Sequence, residues 1–131
     1  MLVAPVIPEL YVDDLERSLA FYTALDFIVA YSRKAERFAM LQREEALLMV
    51  EEPVNRTFLA SPLAHPRGSG INLQISVNDV DRLWTRLPEQ CAVVLPIEER
   101  DYQSGYKSIR VRQFVVADPD GYVLRFTQHL S

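Results

Sequence analysis

The sequence predicts an α+β fold of two βαβββ modules, with helices on the outer face of sheets that curve around a concave cleft. Three features point there. One stretch recurs at an offset of 65 residues, a second recurs at an offset of 76, and each half switches from helical to strand periodicity. Residues 10–17 read LYVDDLER and residues 75–82 read ISVNDVDR, placing Val12 against Val77, Asp14 against Asp79 and Arg17 against Arg82. Residues 37–52, RFAMLQREEALLMVEE, match 113–128, QFVVADPDGYVLRFTQ, with Phe38 against Phe114.

Each first copy reads as a strand running into a helix. Asp13 and Asn78 are suitable N-caps, with Glu16 and Asp81 three positions on, as in a capping box. Leu15, Ser18, Leu19 and Tyr22 form one helical stripe, and Val80, Leu83, Trp84 and Leu87 form the other. Trp84 is therefore expected in the core, and Pro88 ends the second helix. The next strands are FIVAYS (27–32) and CAVVL (91–95), with Cys91 as a small core residue. The charged run SRKAER (32–37) reads as an exposed hairpin connection. Each half closes with strand, tight turn and strand; the turns are QREE and DPDG, the latter with Pro119 and Gly121 at turn positions. The growth of the offset from 65 to 76 assigns about 11 extra residues to a loop, PIEERDYQSGYKSIR (96–110). Three prolines and two glycines mark residues 52–70 as a connection. The expectation is one domain over 1–131, built of modules at about 1–52 and 71–131 with linker 53–70.

A chain of 131 residues, 49% hydrophobic and 24% charged, is of a size and composition to bury a core. A net charge of -4 argues against nucleic-acid binding. A single cysteine excludes an internal disulfide framework. No apolar run approaches a membrane span, and the N-terminal stretch lacks the pattern of a secretory leader. The expected location is the cytoplasm, which makes the sequon at Asn55 incidental.

The order and spacing of LYVDDLERSLAFY, ISVNDVDRLW and RQFVVADPDGYVLRF, with PIEERDY upstream of the last, resemble the vicinal oxygen chelate superfamily, in its glyoxalase/bleomycin-resistance branch. The resemblance covers essentially the whole chain. In metal-dependent members, four ligands come from the first and last strands of each module. Carried onto this sequence, those positions are Ile7, Met49, Asn72 and Arg125. Isoleucine cannot ligate, a thioether suits a hard divalent ion poorly, and arginine has no acceptor. Only Asn72 offers an oxygen, so the metal site is expected to be lost and no cofactor is expected.

Strand alternation divides the side chains between two faces. Leu10, Val12, Leu48, Val50, Leu73, Ile75, Val77, Leu124 and Phe126 share the helix-facing parity. Ile7, Glu9, Tyr11, Leu47, Met49, Glu51, Asn72, Gln74, Ser76, Val123, Arg125 and Thr127 share the other. From these, Ile7, Glu9, Tyr11, Met49, Glu51, Asn72, Gln74 and Arg125 are candidates to line a ligand cleft. Tyr102 and Tyr106 either cap it or pack on a partner subunit. Arg125 either belongs to the pocket or is a solvated charge or an ion-pair partner of Glu9 or Glu51. The resemblance implies a homodimer with a cleft shared between subunits. It also implies a metal-independent protein that sequesters a small molecule, such as a bleomycin-type drug suited by charge and stacking to an acidic aromatic cleft. The alternatives are an enzyme of the superfamily, with Glu9 or Glu51 as base if metal-free, and a metabolite-binding module of the same fold.

Overall fold

The protein is described by a computed structural model covering residues 2–130. The chain divides into two units, Met1–Arg67 and Gly68–Ser131. The first contains β1 (Glu9–Tyr11), α1 (Leu15–Ala24), β2 (Ile28–Arg33), β3 (Phe38–Arg43) and β4 (Ala46–Glu51). Its sheet has the order β1-β4-β3-β2, with β1 parallel to β4 and the other neighbours antiparallel. The second unit repeats the plan with β5 (Asn72–Ser76), α2 (Val80–Thr85), β6 (Ala92–Ser104), β7 (Lys107–Ala117) and β8 (Val123–His129), in the order β5-β8-β7-β6. Each unit is therefore a βαβββ module whose first strand pairs in parallel with its last.

Strand register agrees with both sequence offsets at once. Glu9 lies opposite Met49 in the first sheet, and Gln74 lies opposite Arg125 in the second. These pairs are related by 65 residues on one strand and 76 on the other.

The helix-facing parity is observed in both modules. Leu10, Val12, Leu48 and Val50 are buried in the first, and Ile75, Val77, Leu124 and Phe126 in the second, while Leu73 is half-buried. Phe21, Tyr22 and Phe27 meet edge to face beneath α1, with ring centroids 5.1 and 5.4 Å apart. In the second module, Phe114 lies 5.3 Å from both Trp84 and Phe126. Trp84 is half-buried rather than enclosed: its ring lies along the edge of this cluster.

The N-caps lie one residue later than expected. Asp14 and Asp79, not Asp13 and Asn78, accept from the backbone N–H groups of Arg17 and Arg82 at 3.2 and 3.1 Å. This shift places Glu16 and Asp81 at the second helical position, too early for a capping box. They pair instead with Arg37 and Arg112. A second, long-range cap is common to both modules. The Glu52 carboxylate accepts from Leu15 N–H at 2.8 Å, and Gln128 Oε1 accepts from Val80 N–H at 2.9 Å. Glu52 and Gln128 also follow the 76-residue offset, so each final strand clamps its module's helix N-terminus.

The stretch 96–110 is not a loop. Strands β6 and β7 continue through it as a long antiparallel hairpin turning at Gly105 and Tyr106, with Gly105 at a φ of 64°. The extra residues that the offset assigned to a loop lengthen the two strands, and their charges pair across them. Asp101 lies opposite Arg110 and Glu99 opposite Arg112, with ion-pair distances of 3.0 and 3.4 Å. The linker is tied into one unit over most of its length. Through Arg67 it belongs to the first unit, where Phe58 N–H donates to the Tyr11 hydroxyl at 2.9 Å and Arg67 donates to Tyr11 O at 2.8 Å. The DPDG turn forms as expected: the Asp118 carboxylate accepts from the N–H groups of Asp120 and Tyr122, and Gly121 has a φ of 93°. Among the described residues no helix is long and apolar enough to cross a membrane.

Candidate functional site

In the second module, the residues opposite the helix-facing parity gather on one sheet face. Arg125 lies beside Gln74 on β5 and opposite Val115 on β7. Thr127 faces Gln113, His129 faces Val111, and Tyr102 on β6 faces Ile109. Along β5, β6, β7 and β8, Gln74, Tyr102, Ile109, Val111, Gln113, Arg125, Thr127 and His129 line a pocket of about 170 Å³. Its floor is mixed: Ile109 and Val111 supply apolar surface, and the rest supply an amide-rich polar wall.

Hydrogen bonding within the pocket is incomplete. Gln113, 2% exposed, donates through Nε2 to the Glu98 carboxylate at 3.0 Å and to the Tyr102 hydroxyl at 2.7 Å. Its Oε1 is buried without a hydrogen-bond partner, as are Thr127 Oγ1 and Arg125 Nε. Arg125 donates through its terminal nitrogen to Gln74 Oε1, and its guanidinium lies 6.0 Å from the Tyr102 ring centroid. It forms no ion pair within the second unit among the described residues. Three buried polar atoms left unpaired around one pocket are costly for a folded chain, and such atoms mark a place where a ligand or water completes the bonding.

Of the cleft candidates, the pocket unites Gln74, Tyr102 and Arg125. Asn72 is exposed on β5, one side-chain repeat before Gln74. Tyr106 sits at the hairpin tip, 92% exposed and outside the pocket lining. The other five candidates lie in the first module. Ile7 and Met49 are half-buried; Glu9 lies opposite Met49, and Tyr11 opposite Glu51. Tyr11 and Glu51 are buried, and the linker accounts for part of this, since Phe58 binds the Tyr11 hydroxyl. Burial raises the Tyr11 phenol above its ordinary value, against the lowering effect of that Phe58 hydrogen bond. Burial first, and then the neighbouring Glu9 carboxylate, raise Glu51 above the usual carboxylate range.

The residues missed from sequence are Gln113, Thr127 as an unpaired group, His129, Ile109 and Val111. Assigning 96–110 to a loop removed β6 and part of β7 from the face count. The signal that finds them is the symmetric charge pattern about Gly105, Glu99 and Asp101 against Arg110 and Arg112. Once the hairpin is drawn, alternation back from Phe114 places Gln113, Val111 and Ile109 on the Arg125 face.

Two βαβββ modules, each with its helix on one sheet face, and a polar pocket on the other face of the second sheet, define the class of this protein. The chain belongs to the Glyoxalase/Bleomycin resistance protein/Dioxygenase superfamily, whose model matches residues 4–126. A superfamily member from Vibrio splendidus 12B01 is 34% identical, with coverage of 93% of this chain and 95% of that one, at a TM-score of 0.44. TioX from Micromonospora sp. ML1 is 23% identical over 98% of this chain and 100% of its own, with a TM-score of 0.69. A bleomycin-binding protein solved in complex with bleomycin is 19% identical over 96% of this chain and 98% of its own, with a TM-score of 0.61. A search of curated proteins finds no match to the chain.

The positions that hold the ligands in metal-dependent members fall by resemblance on Ile7, Met49, Asn72 and Arg125, and the chemistry of these side chains does not fit a divalent ion. Arg125 in particular places a permanent cation where a metal would need an anionic donor. Among the described residues, no three His, Cys, Asp or Glu side chains come together as a ligand set.

Proposed function

We propose that this protein is a metal-independent small-molecule-binding protein that sequesters its ligand without converting it, in the manner of bleomycin-resistance proteins. The observation that carries this reading is the pocket below Arg125, with the unpaired polar atoms of Gln113, Thr127 and Arg125 around an apolar floor. Such a site supplies orientation through a few polar groups and affinity through apolar contact. The bleomycin complex of a protein with this fold supports a drug-type ligand. A pocket of about 170 Å³ is smaller than the roughly 300–1,000 Å³ typical of drug-sized ligands. One chain would therefore hold only part of a large drug, and the reading places the remainder against a second copy in a homodimer. Exposed apolar side chains on one edge strand of each sheet, Ile28, Val29 and Tyr31 on β2 and Val93 and Val94 on β6, support self-association.

A calorimetric titration of EDTA-treated protein with a bleomycin-type drug tests the reading. Saturable binding, unchanged by added divalent metal, is expected. No heat at high micromolar drug removes drug sequestration, and binding that requires metal removes the metal-independent account. One observation favours a second reading, catalysis without metal: Glu51 is buried beside Glu9 with its proton affinity raised, as suits a general base. Turnover that is lost in Glu51→Gln with the fold intact would establish it.

A further inference from the structure

We infer that the ligand group seated in this pocket is a small organic carboxylate carrying a hydroxyl or amine donor beside it on an apolar body. This rests on the reading of the pocket as a ligand site and specifies the chemistry it accepts. Each unpaired atom constrains its partner. Arg125 is cationic at every accessible pH, yet its hydrogen bond goes to the neutral amide of Gln74 and its Nε–H is buried and unused. A half-buried cation with no carboxylate partner is best completed by an anion, and Nε–H can only donate, so it needs an acceptor from the ligand.

Gln113 imposes the opposite requirement. Its Nε2 donates to the Glu98 carboxylate, which can only accept, so the amide orientation is fixed and Oε1 is left as the unpaired end of a pocket-lining side chain. Oε1 needs a donor from the ligand. Thr127 lies directly opposite Gln113 in the ladder, and its free hydroxyl can donate to the carboxylate or accept from the neighbouring donor. Ile109 and Val111 give the apolar body its contact. A neutral aliphatic ligand leaves all three polar atoms unpaired. A cationic group seated at Arg125 itself meets repulsion, so the charged part of a bleomycin-type drug would have to lie outside this pocket. A simple carboxylate satisfies Arg125 but leaves Gln113 Oε1 empty.

Three probes separate these cases: salicylate, with carboxylate and adjacent hydroxyl; benzoate, with carboxylate alone; and benzyl alcohol, without charge. Calorimetry on the intact, EDTA-treated protein is expected to give salicylate an affinity about 5–10-fold above benzoate, the value of one added hydrogen bond. Benzyl alcohol is expected to be at least 10-fold weaker than benzoate. Arg125→Gln should abolish the preference for the two acids, and Gln113→Leu should bring salicylate down to the benzoate level. Should either variant fail to fold, the order of the three probes on the unaltered protein still decides. Benzyl alcohol binding as tightly as salicylate overturns the inference. So does an absence of carboxylate binding when a bleomycin-type drug binds, a result that leaves the ligand-site reading standing. Silence from all three probes and the drug overturns both.

Discussion

Replacing Thr127 by valine should stabilise the protein, although it removes a polar side chain from a buried position. Thr127 is 2% exposed, and its hydroxyl is buried without a hydrogen-bond partner. A buried hydroxyl that is bonded stabilises a fold, and Thr→Val there costs stability. An unbonded one carries a desolvation penalty of about 1–3 kcal/mol with nothing to offset it. Valine has nearly the same shape and removes that penalty. It also buries a methyl group, worth up to about 0.8 kcal/mol. Taking the low end of that penalty, the expected gain is about 1–2 kcal/mol. For a domain of this size that is a Tm increase of roughly 3–8 °C. Urea unfolding of Thr127→Val should move the midpoint upward with an unchanged slope. The same variant should bind ligand more weakly, because the lost hydroxyl is a binding group. A loss of stability of about 1 kcal/mol would refute the reasoning, since it would mean that the hydroxyl is already satisfied in the free protein.

Three further outcomes are expected. Glu51→Gln tests the buried carboxyl of the first module. Because the folded-state pKa of Glu51 lies above its unfolded value, its protonation favours the fold below the unfolded pKa, and that contribution is lost as pH rises through the folded pKa. The variant should therefore be more stable than the parent at pH 8 and gain nothing at pH 4, measured by urea unfolding at both. Glu52 behaves oppositely: the Arg37 hydrogen bond, with help from Leu15 N–H, lowers its pKa, so its contribution is present above the unfolded value and lost as pH falls through the folded one. Glu52→Ala should cost about 1–2 kcal/mol at pH 7 and less at pH 3, because it removes the clamp on α1. Gly68→Ala should lower Tm, at a cost of about 1–3 kcal/mol, because its Cβ would meet Gly121 O at 2.5 Å and Tyr122 Cα at 2.6 Å, both backbone.

The fold was legible because the repeat carries two independent offsets, and the observed pairs Glu9–Met49 and Gln74–Arg125 require both. Strand parity was legible for the same reason that a sheet is two-sided: Val50 and Phe126 are fully buried, and Arg125 shares a face with Gln74. The hairpin 92–117 was not legible from hydrophobic alternation, because its outer half is held by Glu99, Asp101, Arg110 and Arg112 rather than by apolar contacts. Capping was misplaced by one residue because Asp13 and Asp14 are chemically equivalent N-caps. The long-range partners, Glu52 just past the end of β4 and Gln128 in β8, lie far along the chain, where a local capping rule does not look. Half of the pocket followed the hairpin out of view. Alternation can put Gln113 on the Arg125 face, but its unpaired Oε1 follows only from the bonds of Nε2 to Glu98 and Tyr102.

The most direct test of the central claim, that the Arg125 pocket binds a small molecule without metal, is a chemical-shift titration of ¹⁵N-labelled, EDTA-treated protein with salicylate. The account predicts saturable shifts of the Gln113 side-chain amide and the Arg125 Nε–H, with the Thr127 backbone amide following. Shifts confined to other parts of the chain, or shifts at these groups only after a divalent ion is added, would contradict it.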